Sequence, residues 1–157
     1  MSTREKEIQS RIEKWLREEK IFADVIPDNG HLDFGYQVKY PPNVPNAIPI
    51  SILKNKNQTS LVFQANLKID EADRNRIKSQ DPLLFRKFSF QLKKELLRQN
   101  FLYMINNEQG HYVITEVLYD LDITKDTLMY TIRRVFNMFA LMMLIFSEIL
   151  KGAIDPE

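Results

Sequence analysis

Two periods of apolar spacing alternate along this chain, and the elements can be read where one gives way to the other. In the first segment Ile8, Ile12, Trp15 and Leu16 fall at i, i+4, i+7 and i+8 among charged neighbours. That spacing predicts a helix with one apolar stripe. Ser2 and Glu5 have capping-box spacing at its start, so each side chain can take up an orphan first-turn amide. The period then falls to two. "FADVIP" is a short strand candidate and "PDNGH" has turn chemistry. In "LDFGYQVKY" Leu32, Phe34, Tyr36, Val38 and Tyr40 alternate with Asp33, Gly35, Gln37 and Lys39, which predicts a half-buried antiparallel strand. "PPNVPN" cannot continue a ladder, because proline lacks the amide proton and fixes φ. "AIPISIL" and "SLVFQANLKI" are two more strands around the polar turn "KNKNQT". Leu61 and Phe63 are expected to face inward, although Val62, apolar too, leaves the register open to a slip of one residue.

From Asp70 the helical period returns. "DEADRNRIKSQDP" is polar, and Asp81-Pro82 places proline at the first position of a helix. Leu84, Phe85, Phe88, Leu92 and Leu96 then make an apolar stripe that Leu97 can join. "FLYMIN" and "HYVITEVLYDL" are strands joined by the hairpin turn "NEQG". Thr124 is expected to cap a last helix running to about Leu150, with Gly152 as its C-cap glycine. The element order is α-β-β-β(-β)-α-β-β-α. Strands joined by short loops must be antiparallel. The expected fold class is α+β: an antiparallel sheet of about five to six strands with helices on one face. No internal repeat or linker is visible, so residues 1–157 are expected to form a single domain.

The last helix holds more apolar surface than one contact needs. Val135 to Phe146 contain a single polar residue, Asn137. A membrane span needs about 20 apolar residues, and here Arg133, Arg134, Ser147 and Glu148 bound a shorter run. On a helical wheel Leu128, Ile132, Val135, Phe139, Met142, Met143, Phe146 and Ile149 form one face, expected against the sheet. Met138, Leu141 and Ile145 widen it, with Leu144 at the rim. An ordinary surface helix needs only about a 100° stripe. The flank Met138, Leu141, Leu144 and Ile145 is therefore the candidate interface with a second subunit. The first helix, through Ile8, Ile12 and Trp15, is the competing cover. Met129, Met138, Met142 and Met143 all lie on this helix, and methionine adapts to binding surfaces as well as to cores.

Composition narrows the function classes. Among 157 residues, 44% are hydrophobic and 27% charged, with a net charge of +1. There is no bulk attraction to nucleic acid or to an anionic membrane. The chain has no cysteine, which excludes disulfides, thiolate metal sites and cysteine nucleophiles. Its charged N-terminus lacks the apolar run of a signal peptide, so a cytoplasmic location is expected. His31 and His111 sit in or beside turns without metal-ligand spacing. Asp70, Glu71 and Asp73 lack the glycine and spacing of a calcium loop and read as a helix-entry charge cluster. Asp120 and Asp122 read as strand-end and capping residues. Arg86, Lys87, Lys93, Lys94 and Arg98 could contact phosphate. With Glu95 among them and a neutral total, they read as a solvated face. No phosphate loop, dinucleotide fingerprint or nucleophile motif is present. No catalytic, cofactor or metal residue is therefore assigned.

The element order resembles the type III secretion chaperone fold. "FGYQVKYPP" (Phe34 to Pro42) and "ISILKNKN" (Ile50 to Asn57) are similar to a family of uncharacterised, largely archaeal proteins sharing that fold. The resemblance implies a small cytoplasmic homodimer that binds segments of other polypeptides, and no enzymatic activity; that no cofactor, nucleic acid or membrane takes part is expected from the missing motifs, the neutral charge and the short apolar run. Secretion chaperones are usually acidic and this chain is neutral. The alternative is a regulatory subunit or small-ligand-binding domain of a larger complex.

Overall fold

A computed structural model describes residues 1–155. The order is α1 (Thr3–Glu18), β1 (Phe22–Val25), β2 (Leu32–Tyr40), β3 (Ile48–Asn55), β4 (Leu61–Lys68), α2 (Glu71–Gln80), α3 (Leu84–Arg98), β5 (Leu102–Asn106), β6 (His111–Leu118), α4 (Lys125–Ile149) and α5 (Lys151–Ile154). The strands form a six-stranded antiparallel sheet in the order β1-β2-β3-β4-β6-β5. The α+β class and strand count agree with the sequence reading. The middle of the chain differs: the polar run after Asp70 is a helix of its own, α2, so two helices stand where one was expected. Asp70 caps α2 by accepting from the Asp73 amide at 2.8 Å.

Contacts divide the chain into two compact units, 1–65 with 116–136, and 66–115 with 137–157. In the first, Leu32, Phe34, Tyr36 and Val38 of β2, Ile50 and Ile52 of β3, and Leu61 and Phe63 of β4 are buried. The positions between them are open or half-open, apart from Gly35. The slip at Val62 does not occur. α1 packs on this covered face with Ile8, Ile12 and Leu16 buried. The Tyr36 hydroxyl donates to Glu13 Oε2 at 3.1 Å, and burial pushes its phenol pKa up to about 12. The predicted capping box forms: the Glu5 amide donates to Ser2 Oγ at 3.2 Å and the Ser2 amide to Glu5 Oε2 at 2.6 Å. At Gly35, a Cβ would stand 3.0 Å from Ile26 Cβ and 3.2 Å from Leu53 Cδ2. Glycine is what lets the segment after β1 lie there.

In the second unit, Tyr112 and Ile114 of β6 are buried. The Phe88 ring of α3 meets Tyr112 edge-on at 4.9 Å and Phe146 of α4 at 6.2 Å. Phe85, Phe88, Leu92 and Leu96 are buried as the spacing predicted. Leu97 instead points outward, 64% exposed. Gly110 closes the β5–β6 hairpin with φ +61°, and its carbonyl accepts from the Ile69 amide at 2.8 Å.

Thr124 caps α4, accepting from the Thr127 amide at 3.1 Å. Gly152 does not end it; that residue lies within the short turn α5. α4 is long and apolar enough to cross a membrane by length and composition. Its residues Leu128, Ile132, Val135, Met138, Met142 and Ile145 are nevertheless buried in the protein. Their steps of three and four make one seam along a core helix.

Candidate interaction surface

The four residues expected at a subunit contact separate. Met138 and Ile145 are 3% and 4% exposed, Leu141 is half-buried, and Leu144 is 62% exposed. The expectation that Phe139 and Phe146 would be more firmly held than Met138 and Ile145 is reversed, since both phenylalanines are only half-buried. The wheel centred the buried face too far towards Phe139 and Phe146. The seam runs through Met138 and Ile145, which turns Leu144 away from it.

More open apolar surface lies elsewhere in the second unit. On α3 and its N-cap, Leu83, Phe90 and Leu97 are 55%, 66% and 64% exposed. They recur every seven residues, on the side opposite Phe85, Phe88, Leu92 and Leu96. Arg86, Lys87, Lys93 and Lys94 are exposed around them, and the Lys94 ammonium stands 5.7 Å from the Phe90 ring centre. The sequence did contain this signal, because Phe90 interrupts a run that otherwise reads as a polar face.

A third exposed group is on β5, the last strand of the sheet order. Leu102 pairs with Thr115 and Met104 with Val113. They alternate with Tyr103 and Ile105, which pair with the buried Ile114 and Tyr112. Leu102 and Met104 therefore lie on the face of this hairpin away from α3, at 57% and 50% exposure. An edge strand with open apolar side chains offers unpaired backbone groups as well as apolar area.

The first unit holds the one deeply buried cation among the described residues. Lys54 occupies an inward position of β3 at 1% exposure. A register irregularity in β2 between Leu32 and Phe34 accompanies an Asp33 carboxylate 2.9 Å from Lys54 Nζ, with Glu5 at 3.4 Å. Lys54 also donates to the Asn55 carbonyl at 3.0 Å. Every valence is used, so the group is a structural anchor. A hollow of about 340 Å³ in the same unit is lined by Glu19, Tyr40, Lys125, Asp126 and Arg133 among others. Its lysine is engaged by Glu18 at 3.0 Å and Glu19 at 2.8 Å, and these acids raise its pKa. His31 is an exposed turn residue and His111 a half-buried strand start. Among the described residues no group of His, Cys, Asp or Glu is arranged to hold a metal ion.

Two solved structures share this α+β fold. A crystal structure of the ExsC–ExsE complex matches with a TM-score of 0.51 at 9% identity, covering 96% of this chain and 97% of the other. An uncharacterised protein from Methanothermobacter thermautotrophicus matches with a TM-score of 0.78 at 21% identity, covering 91% and 99%. YbjN from E. coli, described as a putative transcription regulator, gives 0.43 at 9% identity over 89% and 91%. Residues 8–146 match the family described as "Uncharacterized conserved protein (DUF2299)", and the chain belongs to that family. No curated protein matches it.

Proposed function

We propose that this protein is a non-catalytic binding module for segments of other polypeptides, working as a cytoplasmic homodimer. One observation carries the reading: the second unit leaves Phe90, Leu97, Leu102, Met104 and Leu144 each half exposed or more. Open apolar side chains in three separate groups, on α3, β5 and α4, each offer contact area to a partner. Their distribution over a helix face and a sheet edge suits peptide recognition, in which an edge gives main-chain hydrogen bonds and side-chain anchors give selectivity. The fold supports the same reading, since ExsC was solved in complex with ExsE.

The dimer contact we assign to the outer side of α4. Leu144 is its anchor and Leu141 its neighbour, while Met138 and Ile145 behind them hold the helix in place. A twofold contact uses one patch twice, so a modest apolar surface can close on itself. Light scattering after size exclusion is expected to give twice the chain mass. Leu144→Asp is expected to shift it to monomer with unchanged circular dichroism. A stable monomer at high micromolar concentration overturns the dimer. For polypeptide binding, a photo-crosslinker at Leu102 is expected to capture polypeptides in cells, where one at the exposed Lys39 does not. Equal labelling at both positions overturns that part.

A further inference from the structure

We infer that the outward face of α3 docks an amphipathic helix whose flanks are acidic. This rests on the proposed polypeptide binding and names the partner's chemistry. Leu83, Phe90 and Leu97 are separated by seven residues, about 10.5 Å along a helix at 1.5 Å per residue. A heptad line drifts by about 20° per repeat on a straight helix. A second helix crossing at about +20° follows such a line with its own apolar knobs between these three. A disordered segment or a flat sheet has no reason to match that spacing.

Charge selects among helices. Arg86 and Lys93 lie on one side of the apolar line and Lys87 and Lys94 on the other, all exposed, with Lys87 also 3.7 Å from Asp81. The acid of α3, Glu95, faces away from the line and binds Arg98 at 3.1 Å. A partner helix with carboxylates beside its apolar seam meets cations on both flanks, and complementary charge of this kind sets partner choice. A second copy of α3 fits poorly, because a twofold pairing sets these lysines and arginines against each other. An anionic membrane fits poorly too. An interfacial helix buries a broad apolar face, whereas this one is a single residue wide and its broad face is already inside the protein.

Two synthetic three-heptad helical peptides test this, both with leucine at the seam. One carries glutamate at the flanking positions and the other lysine. Calorimetric titration of the full chain is expected to show the glutamate peptide binding at least about tenfold more tightly, with affinity falling as salt rises. Phe90→Ser is expected to weaken it by about tenfold or more, as loss of a central aromatic anchor does, with the unfolding midpoint unchanged. Arg86→Glu with Lys93→Glu is expected to erase or reverse the preference between the peptides. Equal affinities, no binding of the glutamate peptide, or indifference to Phe90→Ser each overturn the inference. So does partitioning into phosphatidylserine vesicles that Phe90→Ser abolishes, which assigns the face to a membrane. Self-association abolished by Phe90→Ser assigns it to a second copy and overturns it as well. If crosslinking at Leu102 persists while the glutamate peptide fails, polypeptide binding stands and this inference alone falls.

Discussion

α1 and α3 are amphipathic helices of nearly equal length, 16 and 15 residues, and their inner faces are used alike. Ile8, Ile12 and Leu16 are buried in one unit, and Phe85, Phe88, Leu92 and Leu96 in the other. Their outer faces differ. α1 mixes acids and bases and pairs them, Arg17 with Glu13 at 2.9 Å and Lys14 with Glu18 at 3.9 Å. Such exposed pairs contribute little to stability, but they leave a surface that water satisfies. α3 sets apolar residues among cations; Lys87 pairs with Asp81 at 3.7 Å and Arg98 with Glu95 at 3.1 Å, while Leu83, Phe90 and Leu97 stay open between them. The inward pattern decides where a helix packs. The outward composition decides whether it is finished or still has a partner to find.

The largest test of this contrast compares two phenylalanines two residues apart. Phe88→Ala is expected to lower stability by about 3–5 kcal/mol, since it removes a fully buried ring from Tyr112 and Phe146. Phe90→Ala is expected to stay within about 0.5 kcal/mol, as an exposed substitution does. Urea denaturation measures both. A comparable loss at Phe90 would mean that the outer face of α3 is covered in the folded protein.

Two lysines sharpen the same point. Lys54→Ala strands Asp33 and the Glu5 carboxylate beside a buried void, with an expected cost of about 3 kcal/mol. Lys93→Ala is expected to be within about 0.5 kcal/mol. Were the two equal in thermal unfolding, the Lys54 cluster would not be the anchor described.

The smallest effect is at the start of α1. Ser2→Ala removes the side-chain cap and is expected to cost about 1 kcal/mol. The cap also has a pH signature. The Ser2 amide, then its hydroxyl, and to a lesser extent Lys54 hold the Glu5 carboxyl at about 2, below its ordinary 4.5. A carboxyl whose folded pKa is lowered stabilises above its unfolded value and loses that contribution as pH falls through the folded one. The Glu5 contribution is therefore complete above about pH 4.5 and lost towards pH 2. Glu5→Gln should flatten the acid limb of the stability curve over that range. An identical acid limb in both proteins would remove Glu5 from the cap.

Much of the fold was legible because it rests on local rules. The alternation in residues 32–40 fixed β2 to the residue, and the Ser2–Glu5 spacing fixed the start of α1. α2 was harder, since a helix of low apolar content carries no stripe and only Ile77 is buried in it. The candidate surface was half legible. Leu144 was named at the edge of a patch in which Met138 and Ile145 went inside and Leu141 is half-buried, and Phe90 was passed over because its neighbours are charged.

The sequence by itself determined which residues pack inward on β2 and β4 and most of those on α1 and α3, because burial follows the period of the backbone within one element. It also determined where helices start, because a cap is made by residues adjacent in the chain. Tertiary structure alone decided which side of α4 became its seam. More than half of that helix is apolar, so its own pattern admits several rotations, and contacts remote in sequence choose among them. The same holds for Lys54, whose burial depends on Asp33 and Glu5 arriving from other elements, and for Leu97, whose turn outward follows from where α3 comes to lie.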